Sequence, residues 1–293
     1  MLSRRGGTDK DETAEILPQR LYRLFLFADF SGGIYFIEYI LGETVLRRIK
    51  LTIAYDGTNY CGWQVQPNGV SIQSTLQAAI EDLVGEKIML TGASRTDSGV
   101  HALGQVAVFD TSKETIADWK FAMAINQRLP KDIVIQESEE VTTDFHPRYQ
   151  DVTKTYFYKV LNRRYPLPNE RLDSYFFPQK LDFIKMTEAA KVLKGTHDFR
   201  NYCSIKTDVL STVRTIYELE LKKEADMITM TITGDGFLYN MVRIIMGALL
   251  KVGTGQKTAE DLKQALESKE RIIVGPTAPA HGLTLARICY GKG

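Results

Sequence analysis

Cysteine is scarce in this chain, with Cys61, Cys203 and Cys289 the three among 293 residues. They are odd in number, far apart and never in CxxC spacing. That excludes a disulfide framework or a zinc site and favours a reducing compartment, read here as the cytoplasm. The four histidines, His101, His146, His197 and His281, show no metal-ligand spacing either. No glycine pattern makes a phosphate loop or a dinucleotide fingerprint, so the chemistry is expected to need neither metal nor small-molecule cofactor. Charge of one sign is also missing: the formal net charge is +1. Without residues 1–46, which hold five basic and seven acidic side chains, the balance is 32 to 29. Any RNA-binding surface must come from local clustering of cations. Long apolar runs are absent too. Arg23, Asp29, Glu38 and Glu43 interrupt Leu21 to Leu46, and the longest uncharged stretch there, Phe30 to Ile37, cannot cross a bilayer. The apolar region starts too late, and among too many acids, for a signal peptide.

What is present reads as a globular chain, 44% hydrophobic and 25% charged, long enough for one large or two modest domains. Residues 1–15 are polar and charged and are expected to be disordered. From Arg47 the apolar period alternates between that of strands and that of helices. Ile49, Leu51, Ile53 and Tyr55 alternate as a strand. Ser71 caps a helix with Ile72, Leu76, Ala79, Ile80 and Leu83 on one face, ending at Gly85. Strands near Ile88 to Ser94 and Gly104 to Phe109, a helix near Ile116 to Gln127 and a strand from Ile133 to Glu137 complete a β-α-β-β-α-β order. That is the ferredoxin-like order also used by RNA-recognition modules.

The second half has a similar order. It comprises a strand at Val152 to Leu161, a helix at Leu181 to Leu193 and strands at Thr212 to Lys222 and Met227 to Gly234. Helices at Phe237 to Val252 and Ala259 to Glu267 and a last strand at Leu283 to Tyr290 follow. The expected fold class is therefore α+β, with two ferredoxin-like domains, 47–150 and 151–293, mainly antiparallel sheets and a soft boundary near Tyr149 to Val152.

One segment carries chemistry: Gly92-Ala93-Ser94-Arg95-Thr96-Asp97-Ser98-Gly99-Val100-His101-Ala102. In extended backbone Arg95 and Asp97 project to the same side, directly before a Ser-Gly turn. A guanidinium beside the aspartate lowers its pKa and keeps it ionised. On spacing alone, an ordinary surface ion pair at a turn is the simpler reading.

The surroundings change that balance. RTDSGVHA closely resembles the RTDAGVHA signature of the tRNA pseudouridine synthase A family. The likeness continues in order through Tyr55-Asp56-Gly57, Tyr60, Gly62-Trp63-Gln64, Gly104-Gln105-Val106, Asn126, Leu129-Pro130 and Asp144-Phe145-His146. Lys154-Thr155-Tyr156-Phe157-Tyr158, Met241-Val242-Arg243 and Thr277-Ala278-Pro279 extend it across roughly residues 47 to 291. The family's usual N-terminus falls near Arg48. Residues 1–46 are therefore read either as an extension arising from a start site upstream of the true one, at Val45 or Leu46, or as a genuine element packed on the core.

The resemblance implies an isomerase that converts uridine to pseudouridine at positions 38, 39 and 40 of the tRNA anticodon stem-loop, working as a homodimer with its active cleft between the two domains. It assigns Asp97 as the essential carboxylate. An ionised carboxylate can act as a nucleophile at C1′ or as a base that takes a ribose proton, and sequence leaves both routes open. Arg95 can hold phosphate, help displace the target nucleotide from its stem, or merely orient Asp97.

Alternation puts Lys154, Tyr156 and Tyr158 on one strand face. Without the family a core-facing aromatic is the better reading of Tyr156; with it, Tyr156 contacts substrate and Tyr158 is structural. Arg243 shares a narrow helical stripe with Asn240, Gly247 and Lys251. Periodicity reads that stripe as solvated, whereas the resemblance pairs Arg243 with Asp97. The resemblance also brings Gln64, Gln105 and His146 near the cleft. Lys154, Arg148, Arg163, Arg164 and Lys206 are candidate phosphate contacts. Ser94 and Ser98 depart from the family's usual glycine and alanine, and Ser98 adds a hydroxyl beside the carboxylate.

Two rivals stand against this reading: a non-catalytic RNA-binding protein on the same scaffold, and a nucleoside glycosidase, for which no second carboxylate is evident. A zinc deaminase is excluded by the missing HxE and PCxxC motifs.

Overall fold

Strand β3 (Arg47–Tyr55) alternates half-buried and buried residues along its length, as the sequence pattern requires. It belongs to a computed structural model that describes residues 22–28, 34–40, 46–67, 69–204 and 210–291. Two units are distinct, 1–45 and Leu46–Gly293. In the first, β1 (Tyr22–Ala28) and β2 (Ile34–Ile40) pair antiparallel, Tyr22 opposite Ile40 and Ala28 opposite Ile34. The extension thus carries regular structure over these two strands, whereas the expected disorder of residues 1–15 lies outside the described residues.

In the second unit, Ser71 caps α1 (Ile72–Val84) through a reciprocal bond with Ser74, and Gly85 ends it in the left-handed conformation. Then come β4 (Thr91–Gly92), β5 (His101–Thr111), α2 (Lys120–Asn126), β6 (Ile133–Val141), β7 (Val152–Leu161) and β8 (Tyr175–Phe176). They are followed by α3 (Phe183–Lys191), β9 (Gly195–Asp198), β10 (Val213–Glu224), β11 (Met227–Gly234), α4 (Met241–Gly253), α5 (Ala259–Glu267) and β12 (Leu283–Tyr290). The architecture is mixed α+β, with a large, mostly antiparallel sheet.

The sheet runs β6-β3-β5-β12-β7-β11-β10-β9, with β4 on β5 and β8 on β7. Its centre is the short parallel contact of β5 with β12, His101 opposite Thr284 and Ala102 opposite Leu285. There the strands of the first half meet those of the second, and the segment before His101 reaches the join.

Four elements are shorter than periodicity predicts, among them α3, which covers Phe183–Lys191 of the expected Leu181 to Leu193 with Asp182 as its cap. The strand expected over Ile88 to Ser94 contracts to Thr91–Gly92. Helix α2 begins at Lys120 because the carbonyls before it are taken by side chains: Arg47 donates to Ile116 O at 2.9 Å and Ser138 to Asp118 O at 2.6 Å. Helix α4 begins at Met241 because Asn240 sits at φ +62°. Every residue of α4 except Arg243 and Lys251 is buried. It packs against α3 and β7, as an all-round apolar helix must.

Candidate active site

Gln105 explains how the segment bearing Asp97 is held. It is fully buried in β5, where Val106, Ala107, Val108 and Phe109 are all buried as well. Its side-chain oxygen accepts the Ser94 N–H at 3.1 Å, and its Nε2 donates to Ser94 O at 2.7 Å. One amide side chain thus replaces a ladder partner where β4 has ended. Gln105 is among the residues expected near the substrate, but it is not among the residues lining the cavity and holds the segment bearing Asp97 from below.

Beyond Ser94 the chain alternates. Thr96 points inward, its hydroxyl 2.7 Å from the Tyr55 hydroxyl, and its carbonyl accepts the Trp63 N–H at 3.0 Å. Gly62 passes over this backbone at φ +106°, and a Cβ there would sit 2.7 Å from Thr96 O. Only glycine meets both conditions. Asp97 O then accepts the Val100 N–H at 3.1 Å, closing the turn at Ser98-Gly99. The Ser98 hydroxyl donates to Tyr60 O at 3.1 Å.

Arg95 and Asp97 both reach the wall of a cavity of about 650 Å³. They are not each other's partner. The ion pair to Asp97 comes from Arg243, Nη1 to Oδ2 at 3.1 Å, with side chains 16% and 22% exposed. Arg95 is exposed, and no hydrogen bond or ion pair of its side chain is found among the described residues. The expectation of a depressed Asp97 pKa also fails. Burial pushes its carboxyl above the ordinary aspartate value, and the charge and hydrogen bond of Arg243 only partly oppose this.

Arg243 is itself fixed. Its Nε donates to Ala278 O at 2.7 Å and its Nη1 to Asn240 Oδ1 at 2.8 Å. Ala278 N–H returns a bond to Arg243 O at 3.2 Å. The loop from Pro276 can approach this closely because α4 carries Gly247, where a Cβ would lie 1.8 Å from Pro276 O. Tyr158 is fully buried and donates to Pro279 O at 2.8 Å, anchoring the far end of the same loop.

Tyr156, on β7, is buried with its hydroxyl 2.9 Å from Ser94 Oγ and its ring edge-on to Phe237, centroids 5.3 Å apart. Burial pushes its pKa up to about 12; the Ser94 hydrogen bond opposes this and the charge of Asp97 adds to it. At neutral pH Tyr156 is therefore a phenol, able to donate a proton or a hydrogen bond.

Lys154 and Arg148 line the same cavity, and Gln64 lies exposed at its wall. His146 is not among the lining residues. It accepts the Arg148 N–H at 3.1 Å and stacks on Tyr149 at 4.3 Å. Arg163 lies 3.6 Å from Asp226, Arg164 stands over the Tyr165 ring, and Lys206 lies outside the described residues.

Sequence reasoning missed the places of Asn240 and Phe237 on the cavity wall and the hold of the Ala278 carbonyl on Arg243. The run Phe237-Leu238-Tyr239-Asn240 has the apolar signature of a helix, and nothing local announces the left-handed residue that turns it into cleft wall. The Ser94 departure is visible in the sequence, but its partner, 62 positions away, is not.

An ion-paired carboxylate on the wall of a cleft, beside a protonated tyrosine and a wall of cations, is an arrangement able to support acid–base or nucleophilic chemistry. The chain belongs to the tRNA pseudouridine synthase family, whose model matches residues 51–150 and 189–291. A tRNA pseudouridine synthase A of Acetivibrio thermocellus is 48% identical over 245 residues, 84% of this chain and 100% of that protein. One from Clostridium acetobutylicum is 45% identical over 245 residues with the same coverage. Among solved structures, a chain of "Crystal Structure of a Cbf5-Nop10-Gar1 Complex" aligns at TM-score 0.30 and 12% identity, over 69% of this chain and 54% of that one. That likeness is too low to bear on the fold.

Proposed function

We propose that this protein isomerises uridine to pseudouridine in tRNA, at positions 38, 39 and 40 of the anticodon stem-loop, with Asp97 as the essential carboxylate. The observation that carries the reading is the Asp97–Arg243 pair at 3.1 Å on the wall of a cleft that also holds Tyr156. The reaction breaks the bond from C1′ to N1, turns the uracil and joins C1′ to C5. The C5 hydrogen leaves and N1 gains one, so the balance needs no redox partner. Asp97 assists cleavage as a nucleophile at C1′ or as the base for a ribose proton. Tyr156 supplies a ring against the base and a phenol for proton movement at C5. Arg95, free of protein partners among the described residues, is suited to phosphate or to the gap left by a displaced nucleotide. Gln64 and Lys154 contribute further contacts from the cleft wall, while Gln105 and His146 act on substrate only through Ser94 and Arg148.

The strand orders β6-β3-β5 with β4, and β12-β7-β11-β10, support two ferredoxin-like domains divided near residue 150. We read the enzyme as a cytoplasmic homodimer that uses no cofactor. Among the described residues no helix is long and apolar enough to cross a membrane.

The test is release of tritium from tRNA labelled at uridine C5, comparing the wild-type chain with Asp97→Asn. Release by the wild type alone is the expected result. No release by the folded wild type, on tRNA carrying uridine at 38–40, favours the binding-protein reading instead.

A further inference from the structure

Apart from Arg243, which pairs with Asp97, the cations lining the cleft have no carboxylate partner among the described residues. Among the described residues no ion pair engages Arg95, Arg148 or Lys154. Arg148 and Lys154 are instead hung on backbone carbonyls: Arg148 Nε donates to Gly92 O at 2.6 Å and Lys154 Nζ to Ala93 O at 3.0 Å. Those carbonyls begin the segment that runs through Ser94 to Asp97. Each cation uses one donor on its carbonyl and keeps others for the cavity that both line. We propose that Arg148 and Lys154 form a two-cation clamp for one phosphodiester of the substrate strand, and that its occupancy fixes the segment carrying Asp97. The inference rests on the reading of the cleft as an RNA site.

The electrostatics agree with an anion as the missing component. Burial lowers the Lys154 pKa to about 8, and the charges of Arg148, Arg214 and Arg95 add to the effect. Asp235, which follows the neighbouring strand β11, accepts the Thr215 N–H at 3.0 Å, and Asp97 on the same cavity wall is taken by Arg243. Tyr156, two residues along β7, stays neutral near pH 7. A bound phosphate reverses this imbalance and restores the proton to Lys154, so binding takes up a proton above pH 8.

The experiment measures binding of the full chain to a tRNA transcript across salt concentration and pH, with single-turnover tritium release beside it. For the double variant Lys154→Met/Arg148→Met, checked by thermal melting beside the two single variants, the slope of log Kd against log salt is expected to fall in magnitude by about 0.7–0.9, one phosphate contact, and each single variant falls by part of that. Wild-type affinity is expected to weaken, by at most about tenfold per pH unit, above pH 8, whereas Lys154→Arg flattens this dependence. Single-turnover rates of the Met variants are expected to fall at saturating RNA, because the clamp orders Asp97 as well as binding.

An unchanged salt slope in the folded double variant overturns the clamp. A lowered affinity with an unchanged saturating rate overturns its coupling to Asp97. Inorganic phosphate is the second arm, at constant ionic strength. If it competes with RNA on the wild type but not on Lys154→Met, the clamp is supported. If it protects the wild type while the RNA slopes are unchanged, the site takes a free anion and the phosphodiester assignment falls. Absence of tritium release with these salt slopes intact defeats the proposed activity and leaves the clamp standing.

Discussion

Replacing Arg243 with alanine removes the charge opposite Asp97 and leaves a carboxylate that is 22% exposed with no counter-ion. At the observed 3.1 Å, and with an effective dielectric constant of about 20, the Coulomb attraction is roughly 5 kcal/mol. Desolvation of the two partners offsets part of this, so breaking the pair costs about 3 kcal/mol. If that loss falls on the reacting carboxylate, turnover drops by about 10²-fold. Burial already holds the Asp97 carboxyl above the ordinary range, and Arg243 is what opposes it. Without Arg243 the carboxylate protonates at higher pH still. Activity needs the ionised form, so the acid limb of the rate profile moves toward neutrality. Arg243→Lys restores the charge but cannot serve Asp97, Asn240 and Ala278 together, and falls between wild type and alanine. The assay is single-turnover tritium release at saturating tRNA from pH 5 to 8, with tRNA binding measured separately and expected to survive. Turnover by Arg243→Ala within about threefold of wild type, with the acid limb unmoved, refutes the reasoning.

Asn240 separates backbone from side chain. Asn240→Gly keeps the φ of +62° but loses the bond to Arg243, so turnover falls about fivefold to tenfold with little change in melting temperature. Asn240→Ala adds backbone strain of about 1–2 kcal/mol and lowers the melting temperature as well. Gly247→Ala drives a Cβ into Pro276 O and is expected to destabilise by about 3 kcal/mol or more in urea unfolding, whereas Gly255→Ala, at φ +76° with open space around it, costs about 1 kcal/mol. Gln105→Leu leaves both backbone groups of Ser94 unpaired in the core, and a stability loss of about 2–4 kcal/mol accompanied by slower turnover is expected.

Much of the fold is legible in the order of residues alone. The strands at Val152–Leu161, Met227–Gly234 and Leu283–Tyr290 and the helix at Ala259–Glu267 coincide with their predicted bounds. Each is a long periodic run ended by turn or cap residues. Arg47 and Ser138 shorten α2 by taking the backbone carbonyls before it, whereas α4 is shortened by the left-handed Asn240. No local pattern records such competition. For β1 and β2 the sequence leaves a start-site extension and a genuine helix or strand both open, because their apolar run lacks a clear period.

At the site the division is physical. Residue order carries what depends on near neighbours: the alternation that sends Arg95 and Asp97 to one side, the turn at Ser98-Gly99, and the motifs by which the family is known. Which cation pairs with the carboxylate depends on folding. Arg95, two positions from Asp97, stands free in the cleft, while Arg243, 146 positions away, makes the pair because a buried helix and the 276–279 loop aim it there. The pKa of Asp97 likewise follows from desolvation, a property of everything packed around it, and so it moves upward although the neighbouring arginine in the sequence argues for the opposite.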